Sequence, residues 1–259
     1  MKLKFYLFIF LFFVTITSCN DSTSDEFDEA NPDAVARYIE TINIVSAQDS
    51  EENTTITVNY DANNRVSNVT DGVESSIFVY NNNELSNISG QGDNLNIEEL
   101  YESPYNAFET GEVTEYDNNG NPIMITFLEY EYDYMNNVEV EVEYTAEISY
   151  DANPNPYFYT LDAAGVIDVL DNVDLNLTMN ASSTEVVQAR LLFPLNNITS
   201  ITYRDDSDSV IFNIDADYVY NSVNYPVSGT VTAISYGEDF NGQPENETNI
   251  YSANYTYRN

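Results

Sequence analysis

The chain contains no histidine, no tryptophan and a single cysteine, Cys19. Without histidine, the side chain that titrates near neutral pH is missing, and with it the usual general base. Serine–histidine triads and histidine-containing metal sites are excluded on the same ground. Basic residues are almost as scarce. The two lysines, Lys2 and Lys4, sit at the very start, and only Arg37, Arg65, Arg190, Arg204 and Arg258 follow. No lysine therefore remains in the body of the chain for Schiff-base chemistry, and glycine-rich phosphate loops are missing too. A lone cysteine rules out a disulfide framework, so any fold must rest on its core.

What is abundant is acid. Forty-four Asp and Glu residues give a formal net charge of −37. Such a chain repels nucleic acid, because phosphate binding runs on Lys and Arg, and it stands off anionic headgroups. Divalent cations, basic proteins and neutral glycans remain admissible partners. The chain is not a disordered acidic tail, since 14% of its residues are aromatic, with 22 tyrosines, and disordered segments lack such residues.

The N-terminus has the layout of a secretory signal. Lys2 and Lys4 precede an unbroken apolar run from Phe5 to Val14, followed by Thr15-Ile16-Thr17-Ser18-Cys19. A membrane-spanning helix needs about 20 apolar residues, roughly twice that run. Ile16-Thr17-Ser18-Cys19 resembles the bacterial lipobox, a branched apolar residue and two small ones before a cysteine that is acylated. The resemblance implies cleavage between Ser18 and Cys19, a signal peptide over residues 1–18, and lipid on Cys19. One acyl chain holds a membrane only marginally; the resemblance implies several on this one residue. Cleavage would also remove Lys2 and Lys4 and take the net charge to −39.

Polar and acidic residues come next, and the composition predicts a disordered acidic tether over 19–36, leaving 37–259 as one β domain. Within the tether, Ser24-Asp25-Glu26-Phe27-Asp28-Glu29 resembles the acidic export signal of some Gram-negative lipoproteins. The resemblance implies an outer-membrane location with the domain facing the cell exterior.

Beyond the tether the dominant pattern is two-residue alternation. Val138, Val140, Val142, Tyr144, Ala146, Ile148 and Tyr150 fall on one face of a run whose other face holds Glu139, Glu141, Glu143 and Glu147. That period predicts a half-buried strand in an antiparallel sheet. Residues 123–134 alternate as well, and Met135-Asn136-Asn137 reads as the tip of one long hairpin, since asparagine tolerates positive φ.

A shorter unit recurs in which tyrosine ends a strand, Asp or Asn turns the chain, and a branched residue starts the return. Copies are Tyr60-Asp61-Ala62-Asn63-Asn64-Arg65-Val66, Tyr80-Asn81-Asn82-Asn83-Glu84-Leu85 and Tyr116-Asp117-Asn118-Asn119-Gly120-Asn121-Pro122. A fourth is read at Tyr150-Asp151-Ala152-Asn153 and a degenerate fifth at Tyr203-Arg204-Asp205-Asp206-Ser207-Asp208. These units resemble the tyrosine–aspartate (YD, RHS-like) repeats of bacterial surface lipoproteins of uncharacterised function. The resemblance implies stacked antiparallel hairpins and no particular activity.

The expected fold is thus mainly β: a large antiparallel sheet of consecutive hairpins, open, curved or partly closed. Leu161, Val166, Ile167, Leu170 and Val173 recur at helical spacing, which predicts a short helix or compact loop near 161–175, with Asp162 as its cap. A strand is expected around Glu185–Phe193, with closing strands at Val210–Tyr220, Tyr225–Tyr236 and Asn249–Tyr257.

No catalytic constellation stands out, and no cofactor is implied. The acids alternate with apolar residues on strands, which marks a solvated face. Turns holding Asp61, Asp117, Asn119, Asp205, Asp206 and Asp208 offer several oxygens to a hard cation such as Ca²⁺, though none has EF-hand spacing. Simple turn chemistry is the plainer reading. Tyr130, Tyr132 and Tyr134 with Tyr157, Phe158 and Tyr159 are candidates for a sugar or peptide platform, against a plain core role. The expected function is a lipid-anchored envelope protein acting as a non-enzymatic binding or structural module for a protein or glycan. The alternatives are a glycan-binding accessory lipoprotein and a carboxylate-dependent hydrolase.

Overall fold

The computed structural model describes residues 22–90, 94–95, 112–133, 136–176, 186–237 and 245–258. The alternating segments form β1 (Tyr38–Ser46), β2 (Thr54–Tyr60), β3 (Val66–Thr70), β4 (Ser75–Asn81), β5 (Glu84–Ser89) and β6 (Asn94–Leu95). Next come β7 (Glu112–Tyr116), β8 (Pro122–Asp133) and β9 (Val138–Pro154). After a helical insertion follow β12 (Asn196–Arg204), β13 (Val210–Tyr220), β14 (Pro226–Ser235) and β15 (Glu247–Arg258). Inside the insertion, β10 (Asp174–Asn176) and β11 (Val186–Gln188) make a separate two-stranded sheet.

All the others belong to one thirteen-stranded sheet in the order β6-β5-β4-β3-β2-β1-β15-β14-β13-β12-β9-β8-β7. Neighbours pair antiparallel throughout. The first and last long strands meet at its centre, where Ile42 lies opposite Tyr255. The outermost strands β6 and β7 do not pair with each other among the described residues, so the sheet is open. Twisted sheets of more than about ten strands tend to curl.

Register carries one apolar face across the sheet. Ile42 and Ile44 align with Tyr255 and Ala253, Ala253 with Gly229, Gly229 with Tyr218. Ile214 then aligns with Ile201, Ile201 with Ile148, and Ala146 with Ile125. Two buried clusters lie on this face. The larger gathers Ile39, Val58, Val66, Leu85 and Ile88 under the helices. The smaller holds Ile125, Phe127, Tyr144, Ala146 and Ile148. The opposite face presents Asn43, Asn254, Ser252, Thr230, Asp217, Asp215 and Glu147, all exposed.

Helices cover the larger cluster. α1 (Thr23–Ala30) precedes the sheet, and α2 (Phe158–Ala163) and α3 (Val166–Leu170) begin the insertion between β9 and β12. The expected helix near 161–175 is thus two short helices that start three residues earlier. Asp162 does not cap: it lies in the last turn of α2, and the break is made by Gly165, whose φ of 77° sets the left-handed start of α3. The strand expected around 185–193 is only Val186–Gln188, followed by a 3-10 turn at Ala189–Leu192.

The disordered tether is corrected as well. Residues 22–36 are ordered parts of the domain, which therefore includes residues well before 37. Ser22 and Asp25 form a reciprocal capping box, so the acids that suggested disorder instead stabilise a helix start. Thr23 donates from its backbone N and Oγ1 to one Asp171 oxygen, at 2.8 and 2.7 Å. Phe27 is fully buried and stacks on Phe158 at 3.6 Å between ring centres. One aromatic on the inner side of a short helix is enough to pin it, a signal that composition averages away.

The long hairpin appears as expected, with Met124 opposite Glu147 through to Asp133 opposite Val138 and Asn137 at φ 54° in the turn.

Candidate functional site

The residues singled out for anchoring, Ser18 and Cys19, lie outside the described residues. The candidate export residues Ser24, Asp25, Glu26, Phe27, Asp28 and Glu29 all fall in α1. Glu26 pairs with Arg190 at 2.7 Å, and Phe27 belongs to the core.

The candidate calcium ligands are turn residues, and the structure separates them. Strand directions place the turns after Tyr60 and Tyr116 at one end of the sheet, together with the helices, and the turn after Arg204 at the opposite end. Each leading carboxylate is engaged by its own turn. Asp61 Oδ1 accepts from the backbone N of Asn63 and Arg65, and its Oδ2 is held by the Arg65 guanidinium at 2.6 Å. Asp117 Oδ1 accepts from Asn119 and Asn121, and Asp205 Oδ1 from Ser207 and Ser209. The guanidinium of Arg65 holds the Asp61 carboxyl below its ordinary range, and the Ser207 hydroxyl does the same for Asp205. Asp208 supplies the left-handed position of its turn at φ 64°, and Asp206 is exposed in the same loop. Among the described residues no group of three or more acids or cysteines is arranged to hold a metal ion.

These three turns share one geometry with a fourth that the sequence reading missed, Tyr220-Asn221-Ser222-Val223-Asn224-Tyr225-Pro226. In each, the leading Asp or Asn accepts from residues two and four ahead, and the fourth residue of the loop has positive φ: Asn64, Gly120, Asp208 and Asn224. A Tyr at the fifth position, where the other copies have Arg65, Asn121 and Ser209, hid the copy. The fourth expected copy is corrected: Tyr150-Asp151 makes no hairpin, because β9 runs on to Pro154 with Asn196 as its partner. The Tyr80 copy reverses instead through the two positive-φ residues Asn82 and Asn83.

The recurrent tyrosine has a structural task. Tyr60 donates to Ile39 O, Tyr80 to Val66 O, Tyr150 to Pro122 O, Tyr218 to Ile198 O and Tyr257 to Pro226 O, at 2.6–3.1 Å. Every case runs from the end of one strand to the start of its hairpin partner, so each phenol closes the open end of a hairpin. Burial raises the phenols of Tyr60, Tyr80, Tyr218 and Tyr257 above their ordinary range, Tyr80 and Tyr218 to about 12. The proposed aromatic platform does not assemble. Phe158 and Tyr159 pack with Phe27 in the core, whereas Tyr132 lies near the tip of the long hairpin at the other end of the sheet. Tyr134 is outside the described residues.

At the helix-bearing end, asparagines knot the turn, the insertion and α1 together. Asn121 is fully buried; its Oδ1 accepts from Leu195 N at 2.7 Å, and its Nδ2 donates to Asp117 and Asn196 at 2.9 Å. Asn196 Nδ2 reaches Asn31 Oδ1, and Asn31 returns to Phe27 O and Leu195 O. Beside this knot, on the polar face, a shallow groove of about 410 Å³ is lined by Glu115, Asp117, Glu147 and Asp151 with Met124 and Tyr150.

Neither a family model nor a curated protein matches the sequence. Among solved structures, a porin-like protein from Bacteroides uniformis is similar at 11% identity and a TM-score of 0.37, covering 85% of this chain and 96% of its own. A porin-like protein from Bacteroides vulgatus is similar at 11% identity and a TM-score of 0.34, covering 86% and 99%.

Proposed function

We propose that this chain is a lipoprotein of the outer membrane, acylated on Cys19, whose β domain faces the cell exterior as a non-enzymatic binding or structural module. The observation that carries the reading is the polarity of the sheet. A barrel that crosses a membrane turns its apolar side chains outward to lipid. Here the apolar face holds the protein's own core and helices, and the outer face is mainly Asn, Ser, Thr, Asp and Glu, with Val45, Ile77, Val79 and Val219 standing singly among them. Strands of this polarity do not enter hydrocarbon, so attachment falls to the N-terminal segment, where Cys19 of the lipobox-like Ile16-Thr17-Ser18-Cys19 stands three residues before Ser22, which caps α1. An extended chain spans about 3.5 Å per residue, so lipid on Cys19 would hold α1 within roughly 10 Å of the membrane surface.

A non-catalytic role is supported by the use the fold makes of its reactive groups. Phenols close hairpins, turn carboxylates bind backbone, and the buried asparagines bond one another. The test is expression of the unaltered chain and Cys19→Ala in a Gram-negative host supplied with an alkyne fatty acid. Label on the first and none on the second, with protease added to intact cells digesting the first, is the expected result. Equal labelling of both, or protection of the domain until cells are lysed, would overturn the anchor or the orientation respectively.

A further inference from the structure

The β8–β9 hairpin outruns the sheet that supports it. Pairing of β9 with β12 stops where Thr145 meets Arg204, and pairing of β8 with β7 stops where Thr126 meets Glu112. The two strands continue together from Phe127 opposite Tyr144 to Asp133 opposite Val138. Phe127 and Tyr144 are still buried at the base, but Val138, Glu139, Val140, Glu141 and Glu143 are exposed. Beyond that base, Leu128 to Asp133 opposite Glu143 to Val138 form a two-stranded ribbon of six residue pairs, roughly 20 Å long at 3.4 Å per pair. It projects from the end opposite α1 and the helical insertion.

Two features of the ribbon are unusual for a surface hairpin. Val138 and Val140 leave 47% and 37% of their surface in water, side by side on one face. Beyond Thr145, among the described residues, no strand lies against the outer edge of β9. Natural proteins blunt such an edge with charged side chains, lysine above all, with proline or with a bulge; here the charge is of one sign. Residues 128–143 contain no lysine, no proline and no arginine, but six acids: Glu129, Glu131, Asp133, Glu139, Glu141 and Glu143.

The geometry points to the outer edge of β9, residues 138–144, as a docking strand for an extended basic segment of another protein. The added strand would align lysine or arginine with Glu139 and Glu143 and branched apolar residues with Val138, Val140 and Val142, following the two-residue period of β9. The charge of the ribbon selects this occupant. A second copy of the chain would bring another acidic ribbon, and nucleic acid and anionic lipid are repelled in the same way. This inference rests on the reading of the domain as a binding module, and its site lies at the far end from the anchor.

The test uses the whole chain in detergent and a seven-residue capped peptide, Lys-Val-Lys-Val-Lys-Val-Lys, with Lys-Pro-Lys-Pro-Lys-Pro-Lys as a control of equal charge. Fluorescence anisotropy should show the valine peptide binding and the proline peptide, which cannot donate to a strand ladder, binding about tenfold more weakly or less. Glu139→Gln with Glu143→Gln should weaken the valine peptide about tenfold at low salt, two exposed ion pairs being lost. Asp215→Asn with Asp217→Asn, an equal charge change on the polar face of β13, should leave it unchanged. Equal binding of the two peptides, equal weakening by the two double variants, or no binding of the valine peptide would each overturn the proposal. None of these outcomes touches acylation of Cys19, which is read separately.

Discussion

Replacing Asn121 by alanine is the sharpest probe of how the helix-bearing end is held. Asn121 is fully buried, and its amide makes four contacts: Leu195 N at 2.7 Å, Asn196 N at 3.3 Å, Asp117 Oδ2 at 2.9 Å and Asn196 Oδ1 at 2.9 Å. Alanine leaves the Leu195 N–H buried with its acceptor gone, which by itself costs about 1–3 kcal/mol. Asn196 Oδ1 retains Asn119 as a donor at 3.0 Å, so that oxygen is not orphaned. Loss of the remaining bonds and the small void left behind bring the total to about 3 kcal/mol. For a domain of this size that is a fall in melting temperature of roughly 6–12 °C. Thermal unfolding followed by circular dichroism reads it directly. A melting temperature within roughly 2 °C of the parent would refute the claim that the asparagine knot carries stability. Combining the change with Asn196→Ala should cost less than the sum of the two, because the residues share one network.

Phe27→Ala should destabilise by about 3–5 kcal/mol in a chemical denaturation experiment, as expected of a buried aromatic; a neutral result would return residues 22–36 to the status of a tether. Gly229→Ala should cost stability out of proportion to one methyl, because the new Cβ would stand 2.9 Å from the Tyr218 ring, whose hydroxyl bonds Ile198 O; Tyr218→Phe in the same background should then cost less than it does alone. Alkaline pH offers a third check. Desolvation raises the phenols of Tyr80 and Tyr218 from 10 to about 12, so their folded form favours the proton. Their contribution is fully present below pH 10 and is lost as pH rises from 10 toward 12, with stability falling across that window. Phenolate absorbance should therefore rise in step with unfolding, and free titration of these groups near pH 10 in a folded chain would contradict the hairpin-closing role.

Much of the sheet was legible because its signal is local. Alternation from Val138 to Tyr150 and from Val210 to Tyr220 fixes the strands, and from Tyr144 onward the inward face as well, but it does not show that Val138 and Val140 outrun the sheet and stay exposed; the Asx residue ahead of a positive-φ position fixes the turns. Strand order was not legible, since pairing β1 with β15 joins residues far apart through contacts that leave no local trace. Local pattern also misled where two signals compete. Tyr150-Asp151 has the turn dipeptide, yet a branched partner strand, Asn196 onward, holds it extended. In α1, acidic composition argues for disorder while a capping box and one buried phenylalanine decide for a helix. The candidate metal oxygens were legible as turn oxygens; the sequence could not show that backbone N–H groups and Arg65 already occupy them. The role of the tyrosines as hairpin clasps emerges only in three dimensions; of the five, only Tyr60 and Tyr80 stand directly before a turn.

The most direct test of the proposed anchor is the intact mass and N-terminal fragment spectrum of the chain extracted from membranes of a Gram-negative host. The account predicts a chain that begins at Cys19 and carries a thioether-linked diacylglyceryl group and an amide-linked acyl chain. A chain that begins at any other residue, or one with a free thiol at Cys19, would contradict it.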